Sequence, residues 1–172
     1  PHPTTETNRM LPLTDAEILA SFINTTRRET AQIFLPERLD ELRWDRLDVL
    51  AWTDPKNPRN GYAVVPLESG PVGFLLRGPS RRSHARAVCS WCEDLLLTSD
   101  VRMFVAKRAG AAGRNGDTLG VLLHADFSCS ENVRRKPTRV EAGQDAAGRI
   151  QARVAGLRAR SQRFATHLRD QT

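Results

Sequence analysis

Three cysteines and a histidine carry the chemistry most open to reading in this chain. Cys89-Ser-Trp-Cys92 is followed by His124-Ala-Asp-Phe-Ser-Cys129, which gives a C-x2-C pair and an H-x4-C pair and uses every cysteine present. Zn²⁺ takes four thiolate or imidazole donors in a tetrahedron, and two short-spaced pairs supply them from two places in a fold. Three thiolates and one neutral imidazole leave the site with a formal charge of about −1, which arginines and a helix N-terminus can offset. Two other readings compete. A C-x2-C pair also serves as a redox dithiol, but that motif opens a helix in a βαβ setting. Free cysteines are also among the most buried residue types. His84 is a rival fourth donor within the basic loop Ser80–Arg86, and His124 is preferred over it.

The elements that must position these donors follow from the pattern around them. Gly120–His124 reads as the end of a strand running into a helix that starts near Asp126 or Ser128, and Val101–Ala106 alternates as a second strand. A knuckle, a hairpin, then ligands at a helix N-terminus is a treble-clef layout. Upstream, Tyr62–Leu67 and Val72–Arg77 flank the turn signal Glu68-Ser-Gly-Pro71. Leu13–Asn24 reads as a helix opened by the capping box Thr14–Glu17. Glu37–Trp52 reads as short helical turns, and Thr25–Pro36 is ambiguous between a turn and an extended segment. The three tryptophans are taken as core.

The expected class is therefore α+β: a treble-clef zinc finger on a small antiparallel β region, after an N-terminal helical segment and before a long C-terminal helix. Expected boundaries are a disordered tail over 1–12 and a single domain over 13–136, helical to 60 and β-rich from 61. A linker and amphipathic helix follow over 137–172. In that helix Ile150, Val154, Leu157, Phe164 and Leu168 form one apolar stripe.

Charge is split unevenly. Residues 1–76 hold 8 Lys and Arg against 11 Asp and Glu, whereas residues 77–172 hold 18 against 9. The basic half contains the finger, so an acidic partner is expected: RNA, a ribosome or an acidic protein face. Lys107–Gly116 carries three cations and, with Gly110, Gly113 and Gly116, reads as a mobile loop able to cradle an anion. No apolar run is long enough to span a membrane. The polar start lacks a signal region and the cysteines are all assigned to metal, so a cytoplasmic location is expected. Four donors close a zinc site, and neither H-E-x-x-H, G-x-S-x-G nor a P-loop occurs, so no catalysis is expected.

With those residues in view, the chain resembles the elongation-factor-G-binding zinc-finger proteins, the FusB-type fusidic-acid-resistance proteins and their shorter actinobacterial relatives. The resemblance runs over roughly Leu13–Arg135. It rests on Leu13-Thr-Asp-Ala-Glu-Ile18, Trp44-Asp-Arg-Leu-Asp-Val-Leu-Ala-Trp-Thr-Asp-Pro-Lys56, Cys89-Ser-Trp-Cys92, Val105-Ala-Lys-Arg-Ala-Gly-Ala-Ala-Gly-Arg-Asn-Gly116 and His124-Ala-Asp-Phe-Ser-Cys129. It implies a treble-clef domain with one structural zinc on Cys89, Cys92, His124 and Cys129. It also implies that the domain binds elongation factor G and helps release it from the ribosome. Two departures are visible: His124 stands where many relatives have a fourth cysteine, and only a short helical segment precedes the β region. The expected contact surface is Phe104, Lys107, Arg108, Arg114, Phe127, Arg134, Arg135 and Lys136. An RNA-binding zinc module acting on ribosomal or transfer RNA is the alternative from another class.

Overall fold

The computed structural model describes residues 9–81 and 86–170. Most of the expected tail, and Arg82 and His84 of the basic loop, lie outside them. Five strands form one antiparallel sheet in sequence order: β1 Leu50–Thr53, β2 Asn60–Leu67, β3 Gly70–Arg77, β4 Val101–Lys107 and β5 Thr118–His124. Six helices decorate it: α1 Asp15–Ala20, α2 Arg27–Ala31, α3 Gly110–Arg114, α4 Cys129–Asn132, α5 Arg139–Ala142 and α6 Ala146–Arg169.

The inner strand β2 is buried on both faces. Because side chains alternate along a strand, Ala63 and Val65 face one core with Phe74, Trp91, Leu123, Leu157 and Leu168. Val64 faces a second, smaller core with Met10, Ile18, Trp44 and Leu50. Met10, placed in the tail by the sequence reading, is thus a packed residue. The tryptophans are packed as expected: Trp44 and Trp91 are buried, and half-buried Trp52 stacks near Tyr62 at 5.3 Å.

Three segments differ from the sequence reading, each for an identifiable reason. Glu37–Trp52 does contain two 3-10 turns, but Leu50–Thr53 is strand β1, since this stretch of aliphatic and aromatic residues can pair along β2, with Trp52 opposite Tyr62. Thr25–Pro36 contains α2, whose capping box Thr26–Glu29 was the available signal. The segment read as a linker holds α5, closed by a third capping box, Thr138–Glu141.

The helix expected over Leu13–Asn24 stops at Ala20 because the chain is needed elsewhere. Strands β3 and β4 share a single registered pair, Arg77 with Val105, and then diverge. Residues 21–24 fill the gap. The Ile23 N–H donates to the Gly73 carbonyl and the Gly73 N–H to the Ser21 carbonyl, both at 2.9 Å. Asn24 accepts from the Leu75 N–H and donates its amide to the carbonyls of Leu75 and Lys107. One side chain therefore spans the place where a Leu75–Lys107 ladder pair would otherwise lie.

Helix α6 docks on its own domain. Leu157, Ala165 and Leu168 have no exposed surface and belong to the main core, with Val154 and Phe164 packed against it. The expected stripe is the docked face. Its arginines reach back as ties. Arg158 meets Asp48, Arg153 meets Glu141 and the Arg135 carbonyl, and Arg160 meets the Trp91 carbonyl and Glu93. No helix among the described residues is long and apolar enough to cross a membrane.

Candidate metal centre

The knuckle sits between β3 and β4 and is anchored on three sides. The Glu93 N–H closes the turn onto the Cys89 carbonyl at 3.0 Å, with Glu93 itself left-handed at φ 51°. The Ser90 N–H donates to the Leu122 carbonyl and the Ser90 hydroxyl accepts from the Leu122 N–H, so the knuckle grips the outer edge of β5. The Arg160 Nε donates to the Trp91 carbonyl from α6. Trp91 points the other way, into a ring cluster with Phe74 and Phe164.

The second donor pair spans a tight turn. His124 ends β5, the Phe127 N–H folds back onto the His124 carbonyl, and Phe127 is left-handed at φ 55°. Cys129 opens α4, one to three residues later than the sequence reading placed the helix start.

This folding brings the three cysteines together and sets His124 beside one of them. The three sulfurs lie within 4.8 Å of one another, Cys89 and Cys129 at 3.5 Å, and the His124 Nε2 stands 3.3 Å from the Cys92 sulfur. A tetrahedral zinc with ordinary bond lengths needs sulfur–sulfur separations of about 3.8 Å and sulfur–nitrogen separations of about 3.6 Å. The spacing and the soft donor set fit that ion. All four residues are buried. The thiols are also electrostatically dependent on one another. Hydrogen bonds from Cys129 and then Cys92 pull the Cys89 thiol far below its ordinary range, while Cys129 is pushed well above it by the same pairing and by burial. A divalent cation removes that conflict by stabilising all the thiolates together.

Of the eight residues expected at a partner surface, the structure leaves three as exposed cations: Lys107, Arg114 and Lys136. Phe104 is corrected to core, buried with its ring 5.2 Å from that of half-buried Phe127. Arg134 and Arg135 are corrected to structural ties, because acidic partners lie within reach that sequence spacing could not show. Arg134 pairs with the fully buried Asp48, which Arg158 also holds at 2.8 Å. Arg135 pairs with Asp94 and Glu141, each at 3.0 Å. Arg108 is half-buried and donates to the Asp170 carbonyl. The sequence reading missed Asp48, Asp94 and Glu141. Only the Thr138–Glu141 capping box offered a local signal for any of them.

An antiparallel meander interrupted by a cysteine knuckle, with the remaining donors where its last strand meets a helix, defines a treble-clef zinc finger. Residues 17–168 match the FBP C-terminal treble-clef zinc-finger family, and the chain belongs to that family. Among solved structures it is similar to one described as the fusidic acid resistance protein FusC, at a TM-score of 0.53 and 15% identity. The likeness covers 87% of this chain and 60% of that one, so it is a likeness of fold, and the chain spans about three-fifths of the FusC chain. No curated protein matches the sequence.

Proposed function

We propose that this chain is a non-enzymatic zinc-finger protein that binds the translational GTPase elongation factor G and promotes its release from the ribosome. Cys89, Cys92, His124 and Cys129 hold one structural zinc. The observation that carries the reading is the buried cluster of three cysteines, with His124 beside Cys92, inside a fold belonging to this zinc-finger family. The description of the FusC structure as a fusidic acid resistance protein supports a role in tolerance of that drug.

Such a protein acts by differential binding. It shifts the factor toward release only as far as it prefers the released state, and no bond-making residue is required. Lys107, Arg114 and Lys136 are the exposed cations offered to the partner. The second reading, binding to ribosomal RNA, is favoured by the excess of cations in the half that holds the finger.

Calorimetry of the zinc-loaded protein with elongation factor G from the same organism, beside ribosomal RNA, tests both. Saturable one-to-one factor binding, weakened by alanine at Lys107, Arg114 and Lys136, supports the first reading. Binding to RNA alone, falling steeply with salt, replaces it with the second.

A further inference from the structure

We propose that the opening between β3 and β4 is a binding site for a phosphate group, of the kind carried by inorganic pyrophosphate or a nucleoside diphosphate. The site goes beyond the protein-partner reading and does not depend on it.

A cavity of about 300 Å³ lies where the two strands diverge. One wall is Lys107, Arg108, Gly110, Gly113 and Arg114; the facing wall is Asn24, Thr25, Thr26 and Glu29. Three cations therefore face one carboxylate, and that carboxylate is already engaged. Glu29 pairs with Arg77 at 3.0 Å and accepts the Thr26 N–H at 2.8 Å. The cavity between the knuckle and α6 also has three arginines, but there Arg153 and Arg160 hold acids and Arg149 holds the Glu141 carbonyl. In the β3–β4 opening Arg114 holds no ion pair among the described residues, and Lys107 acts on Glu29 through its charge without an ion-pair contact. Arg108 spends one nitrogen on the Asp170 carbonyl, while its Nε is buried without an acceptor.

The walls are built rather than loose. The Asn24 amide fixes the Lys107 carbonyl, the Arg108 N–H is held by the Asp117 carbonyl at 3.0 Å, and the Ala109 N–H by the Leu168 carbonyl at 2.9 Å. Gly110 is left-handed at φ 63°. Gly113 lies so close that an added Cβ would stand 1.8 Å from the Arg108 carbonyl oxygen. The segment read from sequence as mobile is thus a short helix pinned to three neighbours. Across from it, the Thr26 hydroxyl accepts the Glu29 N–H and is hydrogen-bonded to the Glu29 carboxylate, so that wall is fixed by its own capping box.

Charge selects phosphate over carboxylate. A carboxylate carries one charge and is commonly met by a single arginine, whereas a phosphate group carries about −1.5 to −2 and three acceptor oxygens. Three cations lining one cavity match the second.

The test is calorimetric titration of the full, zinc-loaded chain with inorganic pyrophosphate, ADP, GDP and a short unphosphorylated RNA oligomer. One-to-one pyrophosphate binding is expected, weakened at least tenfold by Arg114→Ala and by Lys107→Ala and unaffected by Arg163→Ala on the exposed face of α6. Arg114 is exposed, so its variant keeps the fold. Gly113→Ala is expected to abolish binding while one zinc per chain is retained. Equal affinity for pyrophosphate and the nucleotides identifies the phosphate alone as the ligand, and tighter nucleotide binding identifies the nucleotide; both support the site. Absence of saturable pyrophosphate binding at millimolar concentration, an equal loss in Arg163→Ala, or binding of RNA only overturns it.

Discussion

Asp48→Asn is expected to be among the most costly conservative substitutions outside the metal ligands. The Asp48 side chain has no exposed surface; Arg134, which follows α4, donates to both of its oxygens, and Arg158 on α6 shares Oδ1. Its N–H donates to the Ser130 hydroxyl at 3.0 Å, beside the ligand Cys129. The segment before β1, the finger and the final helix thus meet at one carboxylate. Both guanidinium groups are largely buried, at 15% and 21% side-chain exposure. Removing the negative charge leaves two largely desolvated cations without their counterion. Breaking one partner of a buried pair costs about 3–5 kcal/mol, and in a chain of this size each kcal/mol shifts Tm by about 2–4 °C. A fall in Tm of roughly 6–20 °C follows. Thermal melts of the zinc-loaded protein, with zinc stoichiometry checked, measure it. Asp48→Asn combined with Arg158→Met should recover some of the loss, since one stranded charge is then removed. A single variant melting within about 2 °C of the parent would refute the reasoning, because this junction would then contribute no more than a surface pair.

Three further expectations follow from the same structure. Cys129→Ala is expected to lose zinc and the ordered finger together, since structural zinc supplies an apparent ~10–16 kcal/mol against a typical net stability of about 5–15; a zinc-free variant with unchanged near-UV dichroism would disprove this. His124→Ala should lower zinc affinity while His124→Cys restores it, checked by competition with a chromophoric chelator; equal affinity in all three would remove His124 from the ligand set. Glu141 is held far below the ordinary carboxylate value of 4.5, first by the Arg135 hydrogen bond and then by the Thr138 N–H. A depressed carboxylate contributes stability above its unfolded value and loses it as pH falls toward the folded one. The parent should therefore lose stability in acid below about pH 4.5 more steeply than Glu141→Gln, and parallel melting curves across that range would contradict the assignment.

The cysteine cluster was legible before any tertiary structure because its spacing is local. C-x2-C is a knuckle by chain geometry alone, and H-x4-C fits one strand end and the following turn. Capping boxes are equally local: Thr14–Glu17 was read, while Thr26–Glu29 and Thr138–Glu141 stood in the sequence with the same spacing and marked helices taken for a turn and a linker. The alternating strands and the apolar face of α6 were likewise carried by periodicity.

What only the tertiary structure decided is where the charges go. Arg134 and Arg158 become buried ties because Asp48 lies 86 and 110 residues away in sequence yet beside both in space. No local pattern encodes that approach. Phe104 turned inward because its face of β4 is set by the strand's place in the sheet. Asn24 became a wedge because β3 and β4 separate immediately after their single registered pair. Sequence spacing determined the donors, the strands and the docked face of α6, since these depend on neighbours along the chain. The division of arginines between buried ties and open surface depends on neighbours across it, and folding alone assigns them.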